Sequence, residues 1–459
     1  GLDGLMHPYH PGSRWFGRLF TLIDPYGTEY DLWADPREPE TFGKFYAVRD
    51  RRGNELTYTW GGIKSNRGVE VKFERDFRGW IERIIDPLGN VIRYQYDGYG
   101  DLVAVIDQMD FQTQFRYNTA RVTGQSGAHP HYLETVIDPL GRIVRSVEYG
   151  EDGRLKTLIV NGQPIRVTYD LGQRLQTITD PLGRVTAVVS DERGNVTEFI
   201  RYRSNGSTLI DRFTYDDNDN LLSATDPLGN VTTFTYDAQR NRTSVTRPHN
   251  PGARPSDFTT EYLYNRFAQV TAVIGPDGGV KIFDYDTRGN LTSETDPMGD
   301  QIYSATYDEY SRITSETTAN GTSNYQYGTD GQLTQMTDPN GEVTLFSHDA
   351  NGRITGITMN GITIETLYDE RGRVSSETHP ELGTITYEYG HFSNWTGFDS
   401  PHMGRHERVF DAGGRLTEWR TSDGTLKVNY RPDGTIESRT SPNGMVTEYG
   451  YDDIGRQSQ

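Results

Sequence analysis

Apolar and polar residues alternate over short stretches of this chain, and each stretch ends in a cluster of turn residues. Phe283 and Tyr285 stand two positions apart, so their side chains are expected on one face of a strand. Residues 286–289 then predict a tight turn, because an aspartate side chain bonds its own backbone two residues on and glycine accepts a positive φ. The same aromatic pairing recurs at Tyr94/Tyr96, Tyr262/Tyr264, Tyr325/Tyr327, Tyr387/Tyr389 and Tyr449/Tyr451.

A second short strand is predicted at residues 291–295, and it ends in the sequence Asp-Pro-X-Gly. Proline presets φ for the second position of this turn and glycine closes it. One unit of the pattern is therefore a hairpin of two strands. The Asp-Pro-X-Gly turn begins at Asp24, Asp86, Asp138, Asp180, Asp226, Asp296 and Asp338. No window of about 11 residues or more has the 3.6-residue period of a helix, so the predicted fold class is all-β.

One position of the hairpin recurs about every 21 residues, and fifteen of its twenty occurrences are tyrosine. The positions are Tyr30, Arg49, Arg75, Tyr96, Tyr117, Tyr149, Tyr169, Ser190, Tyr215, Tyr236, Tyr264, Tyr285, Tyr307, Tyr327, His348, Tyr368, Tyr389, Phe410, Tyr430 and Tyr451. Regular spacing along the whole chain marks an array of one structural unit that buries its core against its neighbours. We predict about twenty hairpins in a curled β-sheet wall, because strand twist has one hand and accumulates.

Four intervals of this register are longer than the others and are interpreted as insertions. They span 26 residues from Arg49 to Arg75, 32 from Tyr117 to Tyr149, 25 from Ser190 to Tyr215 and 28 from Tyr236 to Tyr264. The last holds a proline-rich segment that cannot join a strand ladder. Long loops on a rigid scaffold either bind partners or are tolerated surface excursions. Both interpretations stay open for the segments near 123–132 and 247–257.

Composition and charge mainly exclude other classes of protein and of binding partner. Only 33% of the residues are apolar, but 12% are aromatic, which is typical of a folded chain rather than a disordered one. The formal net charge is −19, and residues 1–85 are balanced, so the acidic excess lies in the rest of the chain. An acidic chain lacks the basic surface that nucleic acids or anionic lipids need. The absence of cysteine excludes disulfides and thiolate metal sites, and no apolar run approaches the length of a membrane span.

Histidines, acidic turns and serines are the side chains of this sequence that could bind a metal ion or catalyse a reaction. Histidines cluster at His7/His10, His129/His131 and His391/His402/His406, without His-Glu-X-X-His or a comparable metal pattern. The acidic segment 216–220 fails as a calcium loop, because the sixth position counted from Asp217 is not glycine, and an acidic hairpin turn is predicted instead. Asn-X-Thr/Ser triplets at Asn195, Asn230, Asn290 and Asn394 mostly follow from the turn pattern. No Gly-X-Ser-X-Gly motif is present, so no catalytic, cofactor-binding or metal-binding residue is predicted.

The tyrosine rows have two interpretations. As core, each ring is buried and each hydroxyl is bonded or hydrated. As a glycan-binding surface, the rings are exposed in a row. The core interpretation is favoured, because no other residue type in this sequence supplies enough area to bury.

The sequence Tyr-Asp-X-X-Gly-Arg/Asn-Leu followed by Thr-Asp-Pro-X-Gly resembles the YD repeat of the Rhs (rearrangement hotspot) proteins. Good instances are residues 285–299, 327–341, 368–372 and 173–183, and the resemblance extends from about residue 30 to residue 455. Shell components of insecticidal toxin complexes and the teneurins have similar repeats. The resemblance implies a spiralling β-sheet cocoon whose interior holds a C-terminal toxin segment. The chain ends within a plain repeat, so the acidic residues that release the effector in many relatives have no counterpart here.

From this resemblance we expect residues 1–29 to lead into a YD-repeat shell at 30–459 that is truncated at both ends. The expected function is a structural shell segment, without enzyme activity, that encapsulates a C-terminal toxin or effector for delivery. The alternative is a cell-surface adhesion or glycan-recognition module. Expected partners are the encapsulated segment or flanking domains of the same polypeptide, with secretion-system components and a glycan or cell-surface receptor as further candidates. Nucleic-acid binding, membrane insertion and a cofactor are not expected. The expected location is secreted or on the bacterial cell surface, with loading in the cytoplasm before export.

Overall fold

The computed structural model describes residues 18–24, 26–34, 44–118, 131–390, 395–411 and 413–458. Forty β-strands and one short 3-10 helix, Pro255–Phe258, are found in these residues, so the predicted all-β class is confirmed. The strands, in chain order, are β1 (Arg18–Ile23), β2 (Glu29–Ala34), β3 (Lys44–Arg49), β4 (Glu55–Thr59), β5 (Gly62–Ser65), β6 (Glu70–Arg75), β7 (Ile81–Ile85), β8 (Val91–Tyr96), β9 (Leu102–Ile106), β10 (Gln112–Asn118), β11 (Tyr132–Ile137), β12 (Ile143–Tyr149), β13 (Leu155–Val160), β14 (Gln163–Asp170), β15 (Leu175–Thr179), β16 (Val185–Ser190), β17 (Val196–Tyr202), β18 (Thr208–Tyr215), β19 (Leu221–Thr225), β20 (Val231–Tyr236), β21 (Arg242–Thr246), β22 (Thr259–Tyr264), β23 (Val270–Ile274), β24 (Val280–Tyr285), β25 (Leu291–Thr295), β26 (Gln301–Tyr307), β27 (Ile313–Thr318), β28 (Gly321–Tyr327), β29 (Leu333–Thr337), β30 (Val343–His348), β31 (Ile354–Met359), β32 (Ile362–Tyr368), β33 (Val374–His379), β34 (Gly383–Tyr389), β35 (Trp395–Ser400), β36 (Gly404–Phe410), β37 (Leu416–Thr421), β38 (Gly424–Tyr430), β39 (Ile436–Thr440) and β40 (Val446–Glu448).

The chain divides into two compact units, and each unit combines two distant parts of the sequence. Unit 1 holds residues 1–90 and 233–363, and unit 2 holds residues 91–232 and 364–459. Within each part, every strand pairs antiparallel with the next strand along the chain. The first run of unit 1 is β1–β7 and its second run is β20–β31. The first run of unit 2 is β8–β19 and its second run is β32–β40.

Each run of hairpins has two different edges, because the ends of successive antiparallel strands alternate. We call the turns that follow even-numbered strands the tyrosine edge, since nearly all of the tyrosine register positions lie at the ends of these strands. The turns that follow odd-numbered strands form the proline edge. The Asp-Pro-X-Gly turns at Asp86, Asp138, Asp180, Asp226, Asp296 and Asp338 all lie on it.

Two of the twenty predicted register positions do not fit this arrangement. Arg49 ends the odd-numbered strand β3, so its turn lies on the proline edge, and Tyr30 is the second residue of β2 rather than near its end. The reason is the long interval from Arg49 to Arg75, which holds three strands instead of two. The predicted insertion is therefore an additional strand and not a loop.

The other long intervals have different causes. Between Ser190 and Tyr215 the two strands β17 and β18 are themselves longer, at 7 and 8 residues. The interval before Tyr264 contains the 3-10 helix, preceded by a loop in which Arg247 N–H bonds Phe258 O. Residues 119–130 of the remaining interval lie outside the described part of the chain. The predicted domain boundary at residue 29 coincides with the start of β2 and stays a prediction.

Strand pairing shifts register at the tyrosine position itself. The shift occurs between Asp284 and Tyr285, where Tyr285 pairs with Leu291 and one residue is skipped. Sixteen register positions show it, namely Arg75, Tyr96, Tyr117, Tyr149, Ser190, Tyr215, Tyr236, Tyr264, Tyr285, Tyr307, Tyr327, His348, Tyr368, Tyr389, Phe410 and Tyr430. A β-bulge bends its strand and increases the local twist. Repetition of the bulge at one edge accounts for the curl of the runs within each unit.

The hairpin array has a small hydrophobic core. The buried apolar residues include small alanines such as Ala47, Ala104, Ala187 and Ala272, and no large side chain of the described residues is completely buried. The register tyrosines are half-buried or, like Tyr169, slightly more exposed. The expected buried tyrosine core is therefore wrong in degree. Each ring is covered mainly by the neighbouring strands of its own run, so part of it stays in contact with water.

Candidate functional site at the edges of the hairpin runs

An aspartate side chain organises many of the described turns of the array. At Asp286, the backbone N–H groups of Arg288 and Asn290 donate to Oδ1 at 2.9 and 2.8 Å, and Asn290 Nδ2 donates to Oδ2 at 2.7 Å. Gly289 closes the turn with a φ of 84°. Burial opposes ionisation of Asp286, but these hydrogen bonds outweigh it and hold its pKa below the ordinary value. The predicted Asp-to-backbone turn is confirmed.

The Asp-Pro-X-Gly turns have the same geometry. Leu88 N–H and Asn90 N–H donate to Asp86 Oδ1 at 2.9 and 2.8 Å. The aspartate turn therefore occurs on both edges, and in it a carboxylate accepts bonds that would otherwise be left to water.

A repeated group of three side chains joins successive hairpins on the tyrosine edge. Arg312 bonds the Asp308 carboxylate at 2.6 Å and places its guanidinium over the Tyr327 ring, 4.4 Å from the centroid. The Tyr327 hydroxyl donates to Ile313 O at 2.9 Å. The same set recurs as Asp369–Arg373–Tyr389 and Asp411–Arg415–Tyr430. Each tyrosine thus bonds the backbone of the preceding hairpin and stacks under its arginine.

The hydrogen bond from a tyrosine hydroxyl to the preceding hairpin recurs along the array. Ten tyrosines donate to a backbone carbonyl of the preceding hairpin at 2.7–3.0 Å, namely Tyr117, Tyr149, Tyr215, Tyr264, Tyr285, Tyr307, Tyr327, Tyr389, Tyr430 and Tyr451. Burial raises the pKa of Tyr285 above its ordinary value, and the pKa values of its equivalents in neighbouring hairpins shift in the same direction. At the register position of Arg75 an arginine makes the equivalent hydrogen bond, since its Nε donates to Trp60 O at 2.9 Å.

In unit 1 the proline edge of the first run lies against the tyrosine edge of the second run. We call this line of contact the seam. The Arg51 guanidinium lies 3.4 Å from the centroid of the Phe267 ring, and the Arg67 guanidinium lies 5.2 Å from that of Tyr310. These residues are more than 200 positions apart in the sequence, so the seam joins hairpins that are far apart along the chain.

The unit 1 seam ends in a polar contact. Asn351 Nδ2 donates to Asp86 Oδ2 at 2.9 Å. Burial opposes ionisation of Asp86, but the bonds from Asn90 and Asn351 outweigh it and keep its pKa below the ordinary value. The contact therefore joins a neutral amide to a carboxylate.

Unit 2 has a seam with the same pairing of edges. It also has an arginine over an aromatic ring, since the Arg371 guanidinium lies 4.7 Å from the centroid of the Phe111 ring, but ion pairs are added to this contact. Arg371 forms an ion pair with Asp107, and Arg184 Nη2 lies 2.5 Å from Asp433 Oδ2. The side chains of Arg371 and Asp433 are only 8% and 3% exposed. Burial opposes ionisation of Asp433, but bonds from Thr435 and the charge of Arg184 outweigh it, so its pKa lies below the ordinary value.

The unit 2 seam continues to the last described turn of the chain. Ser204 N–H and Oγ both donate to Asp453 Oδ2 at 2.9 Å, and Arg203 lies 3.3 Å from the same carboxylate. Two open cavities of about 370 and 320 Å³ lie along this seam, the larger lined by Val136, Val144 and Gly413. The seam is therefore held at separate points and not packed evenly along its length.

Turn glycines of the tyrosine edge are part of both seams. A Cβ would lie 2.9 Å from Arg67 Nη1 at Gly331, 2.3 Å from Asn161 Nδ2 at Gly413 and 2.3 Å from Arg184 Nη1 at Gly455. These distances are shorter than a van der Waals contact. At Gly455 the φ of 86° favours glycine, and a Cβ would in addition require the Arg184 side chain of the other run to shift.

The candidate residues of the sequence do not come together in one site. His131 Nδ1 lies 2.6 Å from Asp101 Oδ1, His402 is exposed, and His406 stacks on Phe398. His7, His10, His129 and His391 lie outside the described residues. Across the described ranges, no group of three or more His, Asp or Glu side chains is placed to hold a metal ion. No helix in the part of the chain that the structure covers is long and apolar enough to cross a membrane.

The acidic and asparagine motifs have structural partners. Asp216 accepts the turn bonds of Asn218 and Asn220, so segment 216–220 is the predicted hairpin turn. Asn195, Asn230 and Asn290 donate to the aspartates of their own turns. Asn394 lies outside the described residues.

An aromatic cluster in unit 2 was missed by sequence reasoning. Trp395 and Phe398 are stacked at 5.5 Å, Phe398 and His406 at 4.4 Å, and the Arg408 guanidinium lies 3.9 Å from the Trp395 ring centroid. Trp395 and Phe398 lie on strand β35, and His406 and Arg408 lie on the neighbouring strand β36 of the second run. Aromatic residues in adjacent predicted strands are the signal that could have found it, but the strand register was needed to align them.

Three segments of the chain, residues 215–250, 285–323 and 327–361, match the sequence profile of the family described as RHS Repeat. No curated protein sequence matches the chain. Among solved structures, TcdB2-TccC3-Cdc42 is similar with a TM-score of 0.54 and 13% identity, over 95% of this chain and 26% of that chain. TcdB2-TccC3 without its hypervariable C-terminal region gives a TM-score of 0.53 at 14% identity, over 95% and 26%. TcdB2-TccC3 gives 0.50 at 12%, over 96% and 30%.

These similarities confirm the fold and the repeat. The chain spans about a quarter of the length of the solved chains that it matches.

Proposed function

We propose, on the premise that this chain is an Rhs-repeat protein, that it is a wall segment of a shell enclosing a C-terminal toxin or effector polypeptide. Such a shell needs a wall without gaps between neighbouring runs of hairpins, because a gap would leave the enclosed polypeptide open to solvent and to proteases. The seams carry this proposal. In each unit they close the wall sideways, by docking the proline edge of one run on the tyrosine edge of another.

The wall acts by steric containment and needs no chemistry of its own. The edge residues described above are used in turns, strand anchors and seams, and this supports a structural, non-enzymatic role. The proposed partners are the enclosed segment or flanking domains of the same polypeptide, and secretion-system components at delivery. The proposed location is outside the producing cell or on its surface, after loading in the cytoplasm. The solved structures of similar fold are described as TcdB2-TccC3 assemblies.

The alternative of glycan or receptor recognition has less support. A glycan platform needs exposed ring faces and available hydroxyls, whereas ten register tyrosines donate their hydroxyls to the backbone and several rings lie under arginines. It stays a second prediction for surface-located forms.

Limited proteolysis of the complete natural polypeptide tests the proposal. We expect polypeptide that follows the repeats to resist trypsin in the native protein, and to be cleaved at least tenfold faster when the seam is broken by Arg184→Ala with Arg371→Ala. The matched control is Arg212→Ala, which removes an exposed ion pair with Glu198 within strands β17 and β18. Equal cleavage of the C-terminal polypeptide in native, seam and control proteins would contradict enclosure.

A further inference from the structure

Two neighbouring turn tips on the tyrosine edge of the first run in unit 1 carry large exposed aromatic residues. Trp60 lies in the turn between β4 and β5, and Phe77 lies in the turn between β6 and β7. They are 68% and 95% exposed. The unit 1 seam uses the other edge of this run, through Arg51, Arg67 and Asp86, so the seam covers neither tip.

The two tips form one continuous surface. Arg75, at the end of β6, donates through Nε to Trp60 O at 2.9 Å and through Nη1 to Gly79 O at 2.8 Å. Its guanidinium lies 4.7 Å from the centroid of the Trp60 ring. A Cβ at Gly79 would lie 2.8 Å from Trp60 Cη2, so the indole reaches across to the turn that holds Phe77. We call Trp60, Arg75, Phe77 and Arg78 the aromatic tip surface.

Arginines of the same run hold these rings in place. The Arg78 guanidinium lies 5.3 Å from the centroid of the Phe77 ring, and its Nε donates to Asp76 Oδ2 at 2.8 Å. In the unit 1 seam, by contrast, the arginine over each ring comes from the other run. Arg75 covers one face of the indole, so the 68% exposure of Trp60 leaves the opposite face open to a ligand.

The size of the aromatic tip surface distinguishes between classes of ligand. A buried aromatic side chain contributes about 150–250 Å², so the two rings together offer about 300–500 Å². A specific protein interface needs about 800 Å² from each partner. An open indole face beside guanidinium donors fits a sugar, because the C–H groups of a pyranose pack on the ring and its hydroxyls accept hydrogen bonds from arginine.

We propose that the aromatic tip surface binds a neutral saccharide, with one sugar ring against the open face of Trp60 and the adjoining part of the sugar chain beside Phe77. The formal net charge of −19 repels anionic polymers over longer distances, which favours a neutral ligand. The site is separate from the register tyrosines, whose hydroxyls donate to the backbone. It concerns two turn tips and is independent of whether the wall encloses a toxin.

Saturation-transfer difference NMR of the 459-residue chain with cellohexaose and with a hexamer of N-acetylglucosamine tests this inference. The site variants are Trp60→Ala and Phe77→Ala. The matched control is Tyr26→Ala, which removes an aromatic residue that is 60% exposed at a turn tip on the proline edge of the same run. Near-UV circular dichroism checks that all variants keep the native fold.

We expect magnetisation transfer to the ring protons of at least one hexamer. Its affinity is expected to fall at least tenfold in Trp60→Ala and at least threefold in Phe77→Ala, and to stay unchanged in Tyr26→Ala. A native chain that binds neither hexamer, or a Trp60→Ala variant that binds like the native chain, would overturn the proposal.

Two further measurements distinguish other occupants of the surface. Binding to phosphatidylcholine vesicles that is lost in Phe77→Ala, without binding of a hexamer, would assign the surface to a membrane. Hexamer binding by the 459-residue chain that is absent in the complete natural polypeptide would show that other parts of that polypeptide cover the rings. Either result would overturn the proposal, and neither would affect the proteolysis test of enclosure.

Discussion

The seams of unit 1 and unit 2 join the same two edges with different interactions. Unit 1 relies on arginines over aromatic rings and on a neutral amide, at Arg51, Arg67 and Asn351. Unit 2 also has one arginine over an aromatic ring, Arg371 over Phe111, but it adds ion pairs, of which Arg184–Asp433 has a nearly buried carboxylate. The two edges therefore dock through the same turn geometry and glycine positions, while the side-chain interaction between them differs from one seam to the other. The two seams should differ in their response to pH and to mutation.

A fall in pH is expected to have the largest effect on the stability of the protein, because it protonates the turn aspartates of both units. The pKa values of Asp86, Asp286 and Asp433 lie below the ordinary value in the folded protein. A carboxylate with a lowered folded-state pKa stabilises the protein above its unfolded-state pKa of about 4, and this stability is lost as the pH falls through the folded-state value.

We therefore expect cooperative loss of stability below about pH 4, with the ionic seam of unit 2 opening before the seam of unit 1. Hydrogen exchange of the seam turns, measured from pH 6 to pH 2.5, checks this order. Simultaneous loss of protection in both seams would mean that the seam chemistry does not matter.

Removal of one partner of the unit 2 ion pair is expected to cause the next largest loss of stability. Asp433→Ala leaves the Arg184 guanidinium partly buried without that partner and removes two bonds to Thr435. We expect a loss of about 2 kcal/mol in the free energy of unfolding, below the full cost of a buried pair because Arg184 is partly solvated. Urea denaturation measures it. Arg405→Ala, at an exposed pair, should cost clearly less, and equal losses would place the seam pair among ordinary surface contacts.

A glycine comparison separates backbone strain from the seam contact. Gly455 and Gly444 have φ values of 86° and 84°, but only at Gly455 would a Cβ meet a side chain from the other run. Gly444→Ala is expected to cost about 1 kcal/mol from the left-handed backbone alone. Gly455→Ala is expected to cost about 1 kcal/mol more, because Arg184 has to move from its partner. Thermal denaturation of both variants checks the difference, and equal costs would show that Arg184 yields freely.

The smallest effect is expected in unit 1. Arg67→Ala removes one cation–π contact with Tyr310 and is expected to lower the free energy of unfolding by about 0.5–1 kcal/mol. Because no carboxylate takes part in that contact, the loss should be the same at pH 7 and pH 4.5. A loss that changes strongly with pH would show that the two seams share an electrostatic basis after all.

Sequence reasoning was most successful where the determinants are local. The turn at Asp286–Gly289 depends on residues within four positions of each other, so the aspartate, the glycine and the hairpin were all predictable. It failed at Arg49, where an extra strand reversed the edge on which the turn lies, because a count of residues does not count strands. It also overstated the burial of the tyrosine rings, because the cover of each ring depends on how many layers pack together.

The amino-acid sequence by itself determined the hairpin unit, its 21-residue period and the all-β class, because turn preferences and strand alternation act between near neighbours. Only the tertiary structure decided the bulge at each tyrosine, the difference between the two edges and the seams. Arg184 and Asp433 are 249 positions apart, and their contact depends on the packing of two runs of hairpins and not on residues near either of them in the sequence.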